Sequence, residues 1–235
     1  MQPKNTNIEN QIMEQGATTM MTTTTVNPGK KNRKTHETLK KCYFQHDDDG
    51  HHADGDATFL EIGIDEAGRG PMFGRVYVSA VALPFSTSEF DFSKMKDSKK
   101  FHSDKKIKEV ADYIKMHTIS WSVKYAEHDT IDAMNIRRAT IQTMHEAIRD
   151  VCDDIKDQGK NKNGEEFYLL VDGNDFIPML HPHPRLHTNN AAHLPYSTIE
   201  GGDNAYASIA AASILAKVSR DEYIMEMVFL KHKLH

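Results

Sequence analysis

The sequence predicts an α/β domain, and three observations predict it. Short apolar runs carry strand-type residues, stretches of helical period are interleaved between them, and the N-terminal quarter is polar with neither period. Residues 1–56 are dominated by Asn, Gln, Thr, Gly, Lys and Asp, including the threonine run at 22–25. Such a stretch buries too little apolar surface to offset its ordering entropy, so it reads as a disordered polar tail ahead of a domain spanning 57–235. Lys30, Lys31, Arg33, Lys34, Lys40 and Lys41 make a basic cluster within it. The plain reading is a solvated tail; the competing one is a nucleic-acid tether or a nuclear address. The segment HDDDGHHADGD at 46–56 lacks the EF-hand spacing and reads as solvated polar sequence.

The domain opens with FLEIGIDEAGRGPMFGRVYVSAVALP at 59–84. An apolar run reaches the adjacent acids Asp65 and Glu66, turns on Gly68, Arg69, Gly70 and Pro71, and resumes as a β-branched run from Val76 to Leu83. This is a hairpin with an acidic end. Half-buried carboxylates call for a compensating cation, usually a divalent metal, whereas the plainer reading is a solvated strand end built of turn-forming acids. Gly68 and Gly70 let the backbone around Arg69 take positive φ and approach a ligand with exposed N–H groups.

The later elements follow in order. Ser103 is placed to cap a helix in which Ile107, Val110, Ala111 and Ile114 recur at helical spacing, ending near His117. Residues 118–126 alternate, with Ile119, Trp121, Val123 and Tyr125 on one face, so a strand is expected and the single Trp belongs to the core or sheet face. A helix is expected over 129–154, with Thr140, Met144, Ala147, Ile148 and Val151 along one side, and a turn over 159–164. Residues 167–171 are a short apolar strand ended by Asp172, Gly173 and Asn174, which repeats the logic of Asp65. The stretch 177–195, rich in Pro and carrying His181, His183, His187 and His193, is longer than an ordinary connection and reads as an insertion or a lid. It has neither an HExxH pattern nor neighbouring cysteines, so a zinc reading is weak. Residues 196–200 suggest one more strand, and from Asp203 a helix of small residues is expected to pack closely on the sheet.

Composition limits the alternatives. Net charge is −5 and hydrophobic content 38%, the latter diluted by the polar tail. Cys42 and Cys152 are the only cysteines, which fits a reducing compartment and excludes a disulfide framework or a sulfur-type zinc site. No apolar run of membrane-spanning length and no signal-peptide core is present, so a soluble intracellular protein is expected, cytoplasmic or nuclear through the basic tail.

GIDEAGRGP resembles the signature of type 2 ribonucleases H, the ribonuclease HII family, which nick the RNA strand of RNA–DNA hybrids and cut at ribonucleotides embedded in DNA. Further matching segments occur in the family's order: KDSKKF at 96–101, Asn135-Ile136 before a helix, LLVDGN at 169–174, Gly202-Asp203 and ASILAKVSRDEY at 212–223. The resemblance covers about 58–225. It implies a ribonuclease H-like fold, a mixed β-sheet flanked by helices. It also implies that Asp65, Glu66, Asp172 and Asp203 are catalytic acids holding two Mg²⁺ or Mn²⁺ ions, as hard oxygen ligands suit. By the same resemblance Gly68, Arg69 and Gly70 surround the ribonucleotide 2′-hydroxyl, while Lys99, Lys100 and Asn135 hold the substrate backbone. Asp221, in VSRD, is read as structural.

Three departures from the family pattern stand out. Arg75 occupies a position where the family commonly has proline, and Gly201-Gly202 replaces the usual Lys-Gly. The family continues into a KGYG segment whose Tyr stacks at the ribose, and no counterpart is found before His235. The resemblance therefore implies a domain lacking its C-terminal part. The expectation is a preference for continuous hybrids over single embedded ribonucleotides, with Tyr196 and Tyr206 as candidate substitutes for that ring. The alternative to an enzyme is a truncated, non-catalytic hybrid-binding protein of the same fold.

Overall fold

The computed structural model describes residues 39–44, 59–71, 73–160, 166–182 and 191–233. Its centre is a strand, β1 (Phe59–Ala67), whose even and odd residues face opposite sides of the sheet. β2 (Val76–Ala82) pairs antiparallel with β1, setting Asp65 opposite Ser79, and β3 (Ser120–Ala126) pairs antiparallel with β2. On the other side β4 (Glu166–Asp172) runs parallel to β1, with Ile64 opposite Val171. Two short strands, β5 (Leu180–Pro182) and β6 (Ala191–His193), form a separate hairpin inside the long Pro- and His-bearing loop. β7 (Tyr196–Ile199) then adds parallel to β4, which gives a mixed sheet of order β3-β2-β1-β4-β7.

Helices cover both faces. α1 (Asp104–His117) follows β2, α2 (His128–Met134) and α3 (Ile136–Asp157) follow β3, and α4 (Ala207–Lys233) ends the fold. Leu60, Ile62 and Ile64 of β1 meet Met144, Ile148 and Val151 of α3 on one face. On the other, Val81 joins Ile107 and Ile114 of α1 and Ala211, Ile214 and Leu215 of α4. Each fully buried branched side chain contributes about 1.5–3 kcal/mol. The alanine-rich start of α4 lets it lie unusually close to β1. A Cβ on Gly63 would come 2.2 Å from the carbonyl carbon of Ser208, so glycine is what the contact requires.

Three expectations are corrected. The helix expected over 129–154 is broken at Asn135, whose φ of 70° and ψ of 158° no helix accommodates; its side-chain oxygen instead accepts from Arg138 N at 3.1 Å and caps α3. Asp65 and Glu66 lie within β1 rather than beyond its end. Residues 39–44, assigned to the polar tail, lie against the domain. Lys40 bridges to Tyr206, and the Glu61 carboxylate accepts from Tyr43 N at 2.8 Å and Phe44 N at 2.9 Å. The rest of 1–56, with the segment at 46–56 and the basic residues Lys30 to Lys34, lies outside the described residues, as do 183–190.

Arg75, the residue in place of proline, has a physical role. Its guanidinium donates to Glu127 through Nε at 2.9 Å and lies over the rings of Tyr125 and Tyr223 at 4.1 and 4.3 Å, tying β2 to β3 and α4. Burial pushes both cysteine thiols up to about 12, which disfavours the thiolate at neutral pH.

Candidate active site

The site lies where the parallel strands β1 and β4 end and α4 begins. Asp65 is almost fully buried on the α4 side of β1, and its Oδ1 accepts from Glu66 N at 2.7 Å. Burial, then the charges of Asp172 and Glu66, hold its carboxyl well above the usual range, while a hydrogen bond with Ser213 of α4 eases the shift. Glu66 is raised by burial and by Asp172, and is lowered by Arg69, whose Nη1 is 3.8 Å from Oε1. Asp172 ends β4, where its Oδ1 accepts from Gly202 N at 2.7 Å. That bond ties the end of β4 to the turn carrying Asp203. Asp203 is buried in the 3₁₀ turn Gly202–Asn204, and burial, Asp97 and Asp172 all raise its carboxyl.

Four acids from three elements therefore lie within electrostatic reach of one another in a poorly solvated place. Ionising Asp65, Glu66 and Asp203 there is unfavourable without a cation, and oxygen ligands of this kind suit hard divalent ions. Among the described residues no three Asp, Glu, His or Cys side chains are already gathered as a metal-holding group. The carboxylates are instead held by local donors, Asp65 by its neighbour's N–H and Asp172 by Gly202.

The other residues expected at the site divide into two groups. Lys99 Nζ lies 3.7 Å from Asp203 Oδ2, and its pKa is raised by Asp203 first, then by Asp97, Asp65 and Asp172, so one exposed ammonium senses three of the four acids. Lys100 donates to Asn204 Oδ1, beside Asp203. Gly68 has φ 103°, and a Cβ there would meet Arg75 O at 2.6 Å, whereas Gly70 faces open space. Arg69 reaches outward to Asp175 at 3.3 Å, a carboxylate also held by Arg137 through bonds of 2.8 and 2.7 Å. Asn135 is engaged as the α3 cap. Tyr196 packs on Phe176, and Tyr206 lies 5.6 Å from the ring of Tyr43.

Two participants were missed in the sequence. Asp97 is buried, caps the turn Ser98–Lys100 through Lys99 N at 2.8 Å, and accepts from Asn204 at 3.4 Å. It lies in the quoted KDSKKF segment, but an acid just ahead of a lysine pair reads as a surface residue. Ser213, bonded to Ser98 at 3.0 Å, looked like one more small residue for helix packing.

The sequence model of the family described as Ribonuclease HII matches residues 62–234. Ribonuclease HII of Chlorobium luteolum is 38% identical over 171 residues, 72% of this chain and 71% of that protein. The RNase HII in the PCNA:RNase HII complex from Archaeoglobus fulgidus superposes with a TM-score of 0.51 at 27% identity, covering 74% of this chain and 77% of that one. Bst-RNase HIII in complex with Mn²⁺ shares the fold, with a TM-score of 0.53 at 19% identity over 69% of this chain and 52% of that one. A mixed five-stranded sheet flanked by helices, the ordered acidic segments and these likenesses agree, and the chain belongs to the ribonuclease HII family.

Proposed function

We propose that the chain is a ribonuclease H that hydrolyses the RNA strand of RNA–DNA hybrids and cuts at ribonucleotides embedded in duplex DNA. Asp65, Glu66, Asp172 and Asp203 would hold two Mg²⁺ or Mn²⁺ ions. When bound, such ions supply an activated water, neutralise charge on the phosphoryl oxygens and help the leaving oxygen depart. The observation that carries the reading is the mutual electrostatic contact of acids from β1, β4 and the α4 turn, each of the three shifted ones raised by another of the set. The chain's own residues do the rest. Gly202 N orients Asp172, Ser213 orients Asp65, and Lys99 provides an exposed cation beside Asp203 for a phosphate. Gly68, Arg69 and Gly70 offer a backbone that a ribose can approach, with the 2′-hydroxyl as the group that separates RNA from DNA.

The test is cleavage of an end-labelled RNA–DNA hybrid, and of a duplex with one embedded ribonucleotide, by purified protein with and without Mg²⁺ or Mn²⁺. Metal-dependent nicking of the RNA strand is expected. Binding without any cleavage in either metal would leave a non-catalytic hybrid-binding protein and overturn the enzymatic reading.

A further inference from the structure

Residues 39–44 lie upstream of the family match, which begins at residue 62. Their attachment to the domain is specific. Lys40 N donates to Ala205 O at 2.8 Å and Lys40 O accepts from Ala207 N at 2.9 Å, so Lys40 is in register with the residues immediately after Asp203. Further along, both oxygens of the buried Glu61 carboxylate receive Tyr43 N, at 2.8 and 2.9 Å, and the Tyr43 ring stacks on Tyr168 at 5.8 Å. Covering the domain accounts for the half-buried Leu39 and Phe44, but not for the two lysines on the outside. The Lys40 and Lys41 ammonium groups rest over the Tyr206 and Phe92 rings, at 5.6 and 5.7 Å, and both residues are exposed. The same end of the domain holds Lys99 against Asp203 and Lys100 against Asn204.

We propose that residues 39–44 form a strap that presents Lys40 and Lys41 as a phosphate-binding pair, extending the Lys99 and Lys100 side of the acidic site for a nucleic-acid backbone. This rests on the nucleic-acid reading given above. The chemistry recognised is the repeating phosphodiester, which a chain of net charge −5 attracts only where its cations are gathered. Anchoring by main-chain bonds also matters, because a lysine already tied to Ala205 and Ala207 loses less freedom on binding than one on an unattached tail.

The experiment measures binding of a fluorescent RNA–DNA hybrid to the full chain in EDTA across a salt series. The double variant Lys40→Ala/Lys41→Ala is compared with wild type and with Lys40→Arg/Lys41→Arg. Every phosphate that a lysine no longer neutralises lowers the log–log salt slope by about 0.9 on duplex DNA, so the alanine pair should have a slope shallower by roughly 1.8 and bind more weakly at low salt. The arginine pair should keep the wild-type slope. An unchanged slope in the alanine pair overturns the strap. Cleavage in Mg²⁺, measured in parallel, separates the two readings. A chain that cuts while the alanine slope stays unchanged loses the strap alone. A chain whose slope falls as expected but which never cuts keeps the strap and loses the enzymatic reading. Absence of hybrid binding overturns the strap, and absence of both binding and cleavage overturns both readings.

Discussion

At Gly63 the packing of a whole helix depends on one missing methyl group. The added Cβ of Gly63→Ala would meet the Ser208 and Ile209 backbone at 2.2–2.5 Å, and backbone cannot move aside as a side-chain end can. The variant should be less stable by about 3 kcal/mol or more, read as a fall in the urea midpoint, because α4 must lift off β1. Asp172 makes the opposite case. Asp172→Asn retains the acceptor for Gly202 N and the side-chain volume while removing one negative charge. Cleavage should fall roughly a hundredfold or more, with hybrid binding and melting temperature close to wild type. Near-normal turnover in that variant would remove Asp172 from the metal set.

At the junction of α2 and α3, Asn135 is the one non-glycine residue with positive φ among the described residues. Asn135 occupies a backbone region that glycine alone adopts freely, and such strain costs on the order of 1–3 kcal/mol. Asn135→Ala removes the cap and keeps the strain, so it should destabilise by about 1–2 kcal/mol. Asn135→Gly relieves the strain while removing the cap, and should melt at or above the wild-type temperature. If Asn135 also holds substrate, the glycine variant should remain folded yet bind hybrid more weakly, a split that a purely structural role would not give.

The elements also show what a sequence makes visible. The hairpin at Asp65, the strand ending in Asp172 and the small-residue helix after Asp203 were legible because their periodicity and turn residues are local. The break at Asn135 was not legible in the periodicity, since apolar spacing continues across it; the one hint was the resemblance, which sets Asn135-Ile136 ahead of a helix, as α3 shows. The docking of 39–44 was hidden for a related reason. Its anchors, Glu61, Ala205 and Tyr206, are distant in sequence, and Lys and Cys between Leu39 and Phe44 give no strand pattern. Asp97 and Ser213 were likewise invisible as partners, because Asp97 meets Asn204, and Ser213 meets Ser98, across more than a hundred residues.

At the scale of the whole molecule, buried acids set the pH response. Burial pushes Glu61 up to about 7 from 4.5, and Asp65, Glu66 and Asp203 are raised as well. An acid whose pKa is higher in the folded state contributes stability that is full below its unfolded value and disappears as pH rises through the folded one. Glu61 alone accounts for about 3 kcal/mol across the window from 4.5 to about 7. Without divalent ions, the melting temperature should therefore fall as pH rises from about 5 to about 8. Mg²⁺ or Mn²⁺ should recover part of that stability at the upper end, where the acids are ionised and able to bind. A melting temperature that rises over this range, or no gain from metal at the higher pH, would contradict the account.

The strand order also fixes a sequence of events on the ribosome. β1, β2 and β3 neighbour one another in the chain and can pair as soon as they emerge, but the inner edge of β1 waits for β4, about a hundred residues later. Asp203 and the helix that covers Gly63 come later still. Until then a nascent chain carries Asp65 on a strand whose α4 face is uncovered, without Asp203 beside it. Such non-local pairing is slow and leaves apolar strand surface open, so the four acids come together only after the segment carrying Asp203 has followed β4 onto the sheet.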